Sequence, residues 1–169
     1  MADRVYMTVK VENTDITKGA SAEDSIGTRY QEGDLENKCE ILSFEHEIKR
    51  AFDQRAGTSE GETRHGCAKV IKHVDKVTSL IRDALFQNKK CDEVVFEWYR
   101  TEKGSKLEPY YKITLENAWI VRANILMPNV HKPENANVPH NEEVEFTYSN
   151  ITYEHLKAKT TATDTWKAV

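Results

Sequence analysis

The chain has 169 residues, a formal net charge of −4 and 31% charged residues of both signs. That length suits one domain with a substantial core, and the mild negative charge argues against a nucleic-acid partner. No apolar run reaches membrane-spanning length, so membrane insertion is not expected; the three cysteines lack a C-x-x-C spacing and read as free thiols, not a disulfide framework or zinc site.

The opening Met-Ala-Asp-Arg-Val-Tyr carries no signal-peptide pattern, which places synthesis in the cytosol. Val5, Met7, Val9 and Val11 then alternate with Tyr6, Thr8 and Lys10, the period of a first strand. Asn13 to Asn37 holds glycines at 19, 27 and 33 and reads as loop, with short extended pieces around Ser25-Ile26 and Tyr30. From Glu40 the alternation returns, with Leu42, Phe44, His46 and Ile48 on one face of a strand whose other face is wet.

Ala51 to Gly66 is polar, contains three glycines and is longer than most connections between strands, so it reads as a loop with a use of its own. Cys67 to Val74 follows as a short strand. The one clear helix spans about 75–88: Val77, Leu80, Ile81, Ala84 and Leu85 recur at helical spacing, Asp75 suits the N-cap, and Lys89 and Lys90 suit the C-terminus.

Val94 to Met127 holds three β-rich runs, expected as an antiparallel meander. A turn around Gly104 joins the first two, and a tighter turn or bend falls at Glu116-Asn117. Trp98 and Trp119 lie here, and Trp98 is expected to face packed protein. Pro128 to Asn141 is a proline-broken loop. Val144, Phe146 and Tyr148 share one parity and Ile151 and Tyr153 the other, the signature of a β-bulge or change of sheet at Ser149-Asn150. The tail from Lys157 to Val169 has Trp166 as its one large apolar anchor.

Chemistry is sparse. There is no phosphate-binding glycine loop, H-E-x-x-H or nucleophile elbow, and no cofactor is implied. His65, Cys67 and His73 could form a thiol–imidazole or metal set, and His131 with His140 a metal pair, but loop histidines and adjacent strand positions account for the same letters with fewer assumptions. Asn150-Ile-Thr152 fits the N-glycosylation pattern by chance in a chain without a secretory signal.

Taken in order, Ile16-Thr-Lys-Gly19, Asp24-Ser-Ile-Gly27, Tyr30-Gln-Glu-Gly33, the helix from Asp75, Trp98-Tyr-Arg-Thr101, Ile113-Thr-Leu-Glu-Asn-Ala118, Met127-Pro128, Ile151-Thr-Tyr-Glu-His155 and Asp164-Thr-Trp166 resemble the haemolysin-coregulated protein (Hcp) family of the type VI secretion system. The resemblance runs from about residue 4 to 167. It departs at Asp34, where close relatives often have histidine, and at Lys159 to Thr163, where they are often rich in Gly and Ser.

The resemblance implies a mainly β fold, a β-barrel-like domain of two antiparallel sheets with one flanking α-helix, occupying residues 1–169 as a single tube domain. It implies a non-enzymatic tube protein: homohexameric rings, stacked and driven out by a contractile sheath, tipped by spike proteins, with effector proteins in the pore. Such a protein waits in the bacterial cytoplasm and is secreted without a signal peptide. The loop from Ala51 to Gly66 would then contact the next ring, with Phe52, Arg55, Arg64 and His65 as contact residues. A small-ligand-binding β-barrel and a Cys67-dependent enzyme are the competing readings.

Overall fold

The computed structural model describes residues 3–104 and 106–166; the start of the N-terminal segment, Ser105 in the turn around Gly104 and the last three residues of the tail lie outside the described residues. Six strands form a closed antiparallel barrel: β1 (Arg4–Val11), β3 (Cys39–Glu45), β6 (Ala68–His73), β7 (Cys91–Thr101), β8 (Leu107–Leu126) and β9 (Asn141–His155). Around the wall the order is β9, β6, β3, β1, β7, β8 and back to β9. Two further strands lengthen this sheet, β2 (Thr14–Asp15) beside β1 and β10 (Thr160–Thr165) beside β9. A second sheet is the two-stranded pair β4 (Ile48–Asp53) and β5 (Thr58–His65). The expected class of two antiparallel sheets with one flanking helix is the class observed.

The barrel interior is filled with side chains: Met7, Val9, Val70, Phe96, Leu115, Phe146 and Ile151 are fully buried. Helix α2 (Val77–Phe86) links the end of β6 to the start of β7 and lays Val77, Ile81 and Ala84 on that core. Leu80, expected in the stripe, is instead exposed. Asp75 caps the helix as expected, its Oδ1 accepting the Val77 and Thr78 amides at 2.8 and 3.2 Å.

A buried charge network ties α2 to the wall. Lys72 Nζ, fully buried, lies 2.8 Å from Asp75 Oδ1 and 2.9 Å from Glu142 Oε1. The Thr78 hydroxyl (2.7 Å) and the Arg82 guanidinium (2.5 Å) donate to the same Glu142 carboxylate. Burial alone would raise the Glu142 carboxyl; the Lys72 charge and the hydrogen bonds from Arg82, Lys72 and Thr78 outweigh it and hold the group below its ordinary value.

Several expectations are corrected. In β1 the expected inner face holds, with Met7, Val9 and Val11 buried and Lys10 exposed opposite them, but Tyr6 on the outer face is buried as well, covered by the segment that folds back there, and its hydroxyl bonds Gln31 Oε1 at 3.2 Å. Within that segment Ser25-Ile26 is not extended: Glu23–Ile26 forms a single helical turn (α1), the Ser25 and Ile26 amides both bonding Ala22 O. In β3 a register shift between Ile41 and Ser43 turns Leu42 outward, so Cys39, Ile41 and Phe44 face the core and the regular alternation fails. The second and third runs after Val94 are one strand, β8, and not two arms of a meander. Glu116 and Ala118 keep their ladder partners on both sides, so the positive φ of Asn117 (49°) bends the strand without reversing it. The parity change in β9 is real, since Tyr148 and Ile151 are both buried, but the β8–β9 register runs unbroken through Ser149-Asn150 and shifts instead between Ile120 and Arg122. Trp98 is half-buried, edge-on to Phe44 and Tyr111.

Candidate functional site

The stretch expected as a loop from Ala51 to Gly66 is most of an antiparallel ribbon. Ile48 pairs with His65, Lys49 with Arg64 and Arg50 with Thr63; beyond a register shift, Phe52 pairs with Ser59 and Asp53 with Thr58. At the tip the Gly57 amide bonds Asp53 O at 2.8 Å, and Gly57 takes the left-handed φ of 65° that a side chain would strain. Periodicity could not find these strands, because a ribbon with both faces in solvent has no buried face to pattern. The ribbon, or arm, leaves the barrel between the end of β3 and the start of β6, the end opposite α2.

Of the expected contact residues, three sit on the exposed arm. Phe52 is 63% exposed, and Arg55 and Arg64 are exposed as well. His65 is elsewhere in kind: its side chain is 1% exposed and locked into the base of the arm. Its Nε2 is 3.0 Å from Asp164 Oδ2, its Nδ1 is 2.8 Å from the Tyr148 hydroxyl, and its ring stacks on Trp166 at 5.9 Å. The Tyr148 hydroxyl also meets His46 Nε2 at 2.7 Å, and His46 Nδ1 meets the Tyr153 hydroxyl at 2.9 Å. The Thr63 hydroxyl donates to Asp164 at 2.7 Å.

The base therefore joins both roots of the arm, His46 and His65, to β9 and to the C-terminal strand β10. A hydrogen bond from Thr63, with others from the Thr165 amide and His65, holds the Asp164 carboxyl below its ordinary value. Burial pushes the Tyr148 phenol well above its ordinary value and the Tyr153 phenol up to about 12, so both keep their protons. Burial, with His65 nearby, lowers His46. A cleft of about 430 Å³ runs between the arm and the tail, lined by Arg50, Arg64, His65, Asp164 and Trp166. Sequence reasoning placed Trp166 as the tail's anchor but missed its ring partners, since His65 and Tyr148 lie far from it in the chain.

The other candidate sets do not assemble. His65 is committed to Tyr148 and Asp164, His73 bonds Asn141 Oδ1 at 3.2 Å, and burial raises the Cys67 thiol above its ordinary value, which disfavours a reactive thiolate. Among the described residues no group of three or more His, Cys, Asp or Glu could hold a metal ion. His131 and His140 are exposed on the proline loop, and Asn150 lies within the sheet between β8 and β10.

Residues 6–155 match the family model described as type VI secretion system effector, Hcp. The chain is 36% identical over 169 residues to the major exported protein of Pseudomonas aeruginosa, covering 99% of this chain and 98% of that one. Among solved structures, an Hcp protein superposes with a TM-score of 0.91 at 26% identity, covering 99% of this chain and all of that one. The secreted protein Hcp3 from Pseudomonas aeruginosa gives 0.80 at 32% identity over 99% of this chain and 100% of that one. With the family model spanning most of the barrel and a full-length relative above a third identity, the chain belongs to the Hcp family of the type VI secretion system.

Proposed function

We propose that this chain, as one tube domain over residues 1–169, forms homohexameric rings that stack into the inner tube of the secretion machine. In this reading the tube is driven by a contractile sheath behind spike proteins and carries effector proteins through its pore. The protein resides in the bacterial cytoplasm before firing and is then exported, acting as a structural subunit and not as an enzyme.

The observation that supports the reading is the arm. A two-stranded ribbon alone is marginally stable in water, and this one presents Phe52 to solvent at 63% exposure. Covering that ring against a neighbour contributes roughly 1.5–3 kcal/mol per contact. Arg55 and Arg64 flank the ribbon with planar donors suited to carboxylates on another copy. A closed ring uses one heterologous interface and stacking a second, and a projecting arm at one barrel end fits the second. His65 serves as the arm's anchor and not as a contact.

The test replaces residues 51–62 by a two-residue Asn-Gly turn, which keeps the Arg50–Thr63 pair and everything below it. Light-scattering mass and negative-stain images should still show rings, while stacking and export are lost. A shortened protein that stacks and is exported as before refutes the role of the arm. A monomer in both forms refutes the ring. Buried side chains fill the barrel interior, which counts against the small-ligand reading.

A further inference from the structure

Leu80 belongs by sequence to the apolar stripe of α2, yet the fold leaves it 43% exposed. It forms one wall of a cleft of about 210 Å³ between the helix and the turn that joins β1 to β2. Buried Val11 and Ala84 make the floor with Ile16, while Glu12, Asp83 and Lys89 stand at the rim. Asp83 is already engaged, with Lys89 Nζ 2.9 Å from Oδ2 and Gln87 Nε2 donating to Oδ1 at 2.5 Å. Glu12 is exposed, forms no hydrogen bond or ion pair among the described residues, and acts on Lys89 only across space. The cleft therefore offers apolar walls and one carboxylate with room for a donor.

The tip of the arm carries the complementary pair. Phe52 and Arg55 are both exposed and stand three residues apart. Asp53 folds the turn between them, its Oδ1 accepting the Arg55 amide at 2.8 Å. The Arg55 guanidinium has no partner among the described residues. An apolar cavity of about 150 Å³ already accepts a benzene ring, so a cleft of about 210 Å³ has room for a phenyl side chain. Tip and cleft lie at opposite ends of the barrel. Val11 ends β1 beside Cys91, where β7 begins after α2, whereas the arm leaves between β3 and β6 at the other end.

We propose that this cleft is the socket for the arm of a second copy, with Phe52 against Leu80 and Ile16 and Arg55 beside Glu12. The inference rests on the stacking reading above and adds the surface that receives the arm. A plug and a socket at opposite ends of one subunit make a heterologous contact that repeats without closing, the geometry of a stack and not of a ring. Charge sets the pairing as well. Tip against tip would bring Arg55 to Arg55, and cleft against cleft Glu12 to Glu12, whereas tip against cleft joins opposite signs. Leu80 is then a stripe residue covered by a neighbour instead of by its own core.

The experiment mixes two full-length variants on a Cys67→Ser background, Phe52→Cys and Leu80→Cys, and oxidises them with diamide, which takes up the two thiol hydrogens. Cys39 and Cys91 are buried and stay out of the reaction. Links between the two variants should exceed self-links of either variant by about tenfold, because a disulfide demands close and aligned Cβ atoms. Self-links as abundant as mixed links overturn the proposal. Arg55→Glu in the first variant or Glu12→Arg in the second should lower the mixed yield about fivefold, and the two reversals together should restore it. Reversals whose losses add instead of cancelling refute the pairing of Arg55 with Glu12. With all native cysteines in place, Leu80→Lys should leave rings intact by light scattering and stop stacking and export. If Leu80→Lys protein stacks and is exported as wild type while the shortened arm is not, the socket is wrong and the stacking reading stands. If wild-type rings neither stack nor cross-link, both fall.

Discussion

Replacing Lys72 by Met tests the buried network that fastens α2 to the wall. Methionine fills the lysine stem's volume, so the change removes a charge and its donors and little packing. Asp75 and Glu142 are left facing each other without the ammonium that lies 2.8 and 2.9 Å from them. Deleting one partner of a buried ion pair costs roughly 3–5 kcal/mol. Here the lower end is expected, about 3 kcal/mol, because Asp75 keeps two amide donors while Glu142 keeps Thr78 and Arg82. Adding Glu142→Leu to the variant should restore about 1–2 kcal/mol, since an apolar replacement removes the orphaned charge as well. The assay is urea unfolding at fixed protein concentration, because assembly would shift the midpoint. The sign with pH is defined: Glu142 is held below its ordinary value of 4.5, so its contribution is present above about that pH and is lost as pH falls through the lowered folded value. A Lys72→Met protein within about 1 kcal/mol of wild type, at neutral pH, refutes the argument.

Two further outcomes follow from local geometry. Trp98→Ala should cost about 2–3 kcal/mol in the same assay, below the range for a wholly enclosed aromatic, because the ring is half-buried against Phe44 and Tyr111; a cost above about 4 kcal/mol means it is enclosed. Asn117→Val should cost about 1–2 kcal/mol and Asn117→Gly almost nothing, since φ is 49° there; equal stability of the two variants means the bend relaxes to ordinary strand.

The parts of the fold legible in the sequence are those where one face is buried. Val77, Ile81, Ala84 and Leu85 reveal α2 because they meet the core, and Val94 and Phe96 reveal β7 for the same reason. Where burial does not alternate, the signal fails. The arm has no inner face, and the extra residue at Leu42 moves the rest of β3 out of phase. Long-range side-chain meetings are the least legible: His46 reaches Tyr148 and Tyr153, and His65 reaches Asp164, only because the barrel closes. The exposed Phe52 was accessible from composition, as a large apolar residue in a polar stretch.

The position of β1 in the barrel wall bears on how the chain is made. Its neighbours are β3 on one side and β7 on the other, with Arg4 opposite Tyr99. At about 5–20 residues per second the ribosome delivers that partner roughly 5–20 s after β1. Until then one edge of β1, with Met7 and Val9, has no strand to bond. The chain is thus aggregation-prone early in synthesis, with the short ladder to β3 and the turn at Glu12-Asn13 as its early cover. Closure then depends on pairings distant in sequence, which places folding in the slow, millisecond-to-second class of β-rich domains. Each barrel can therefore shut only once β9 has been made, and the shutting is quick beside the seconds of synthesis that precede it.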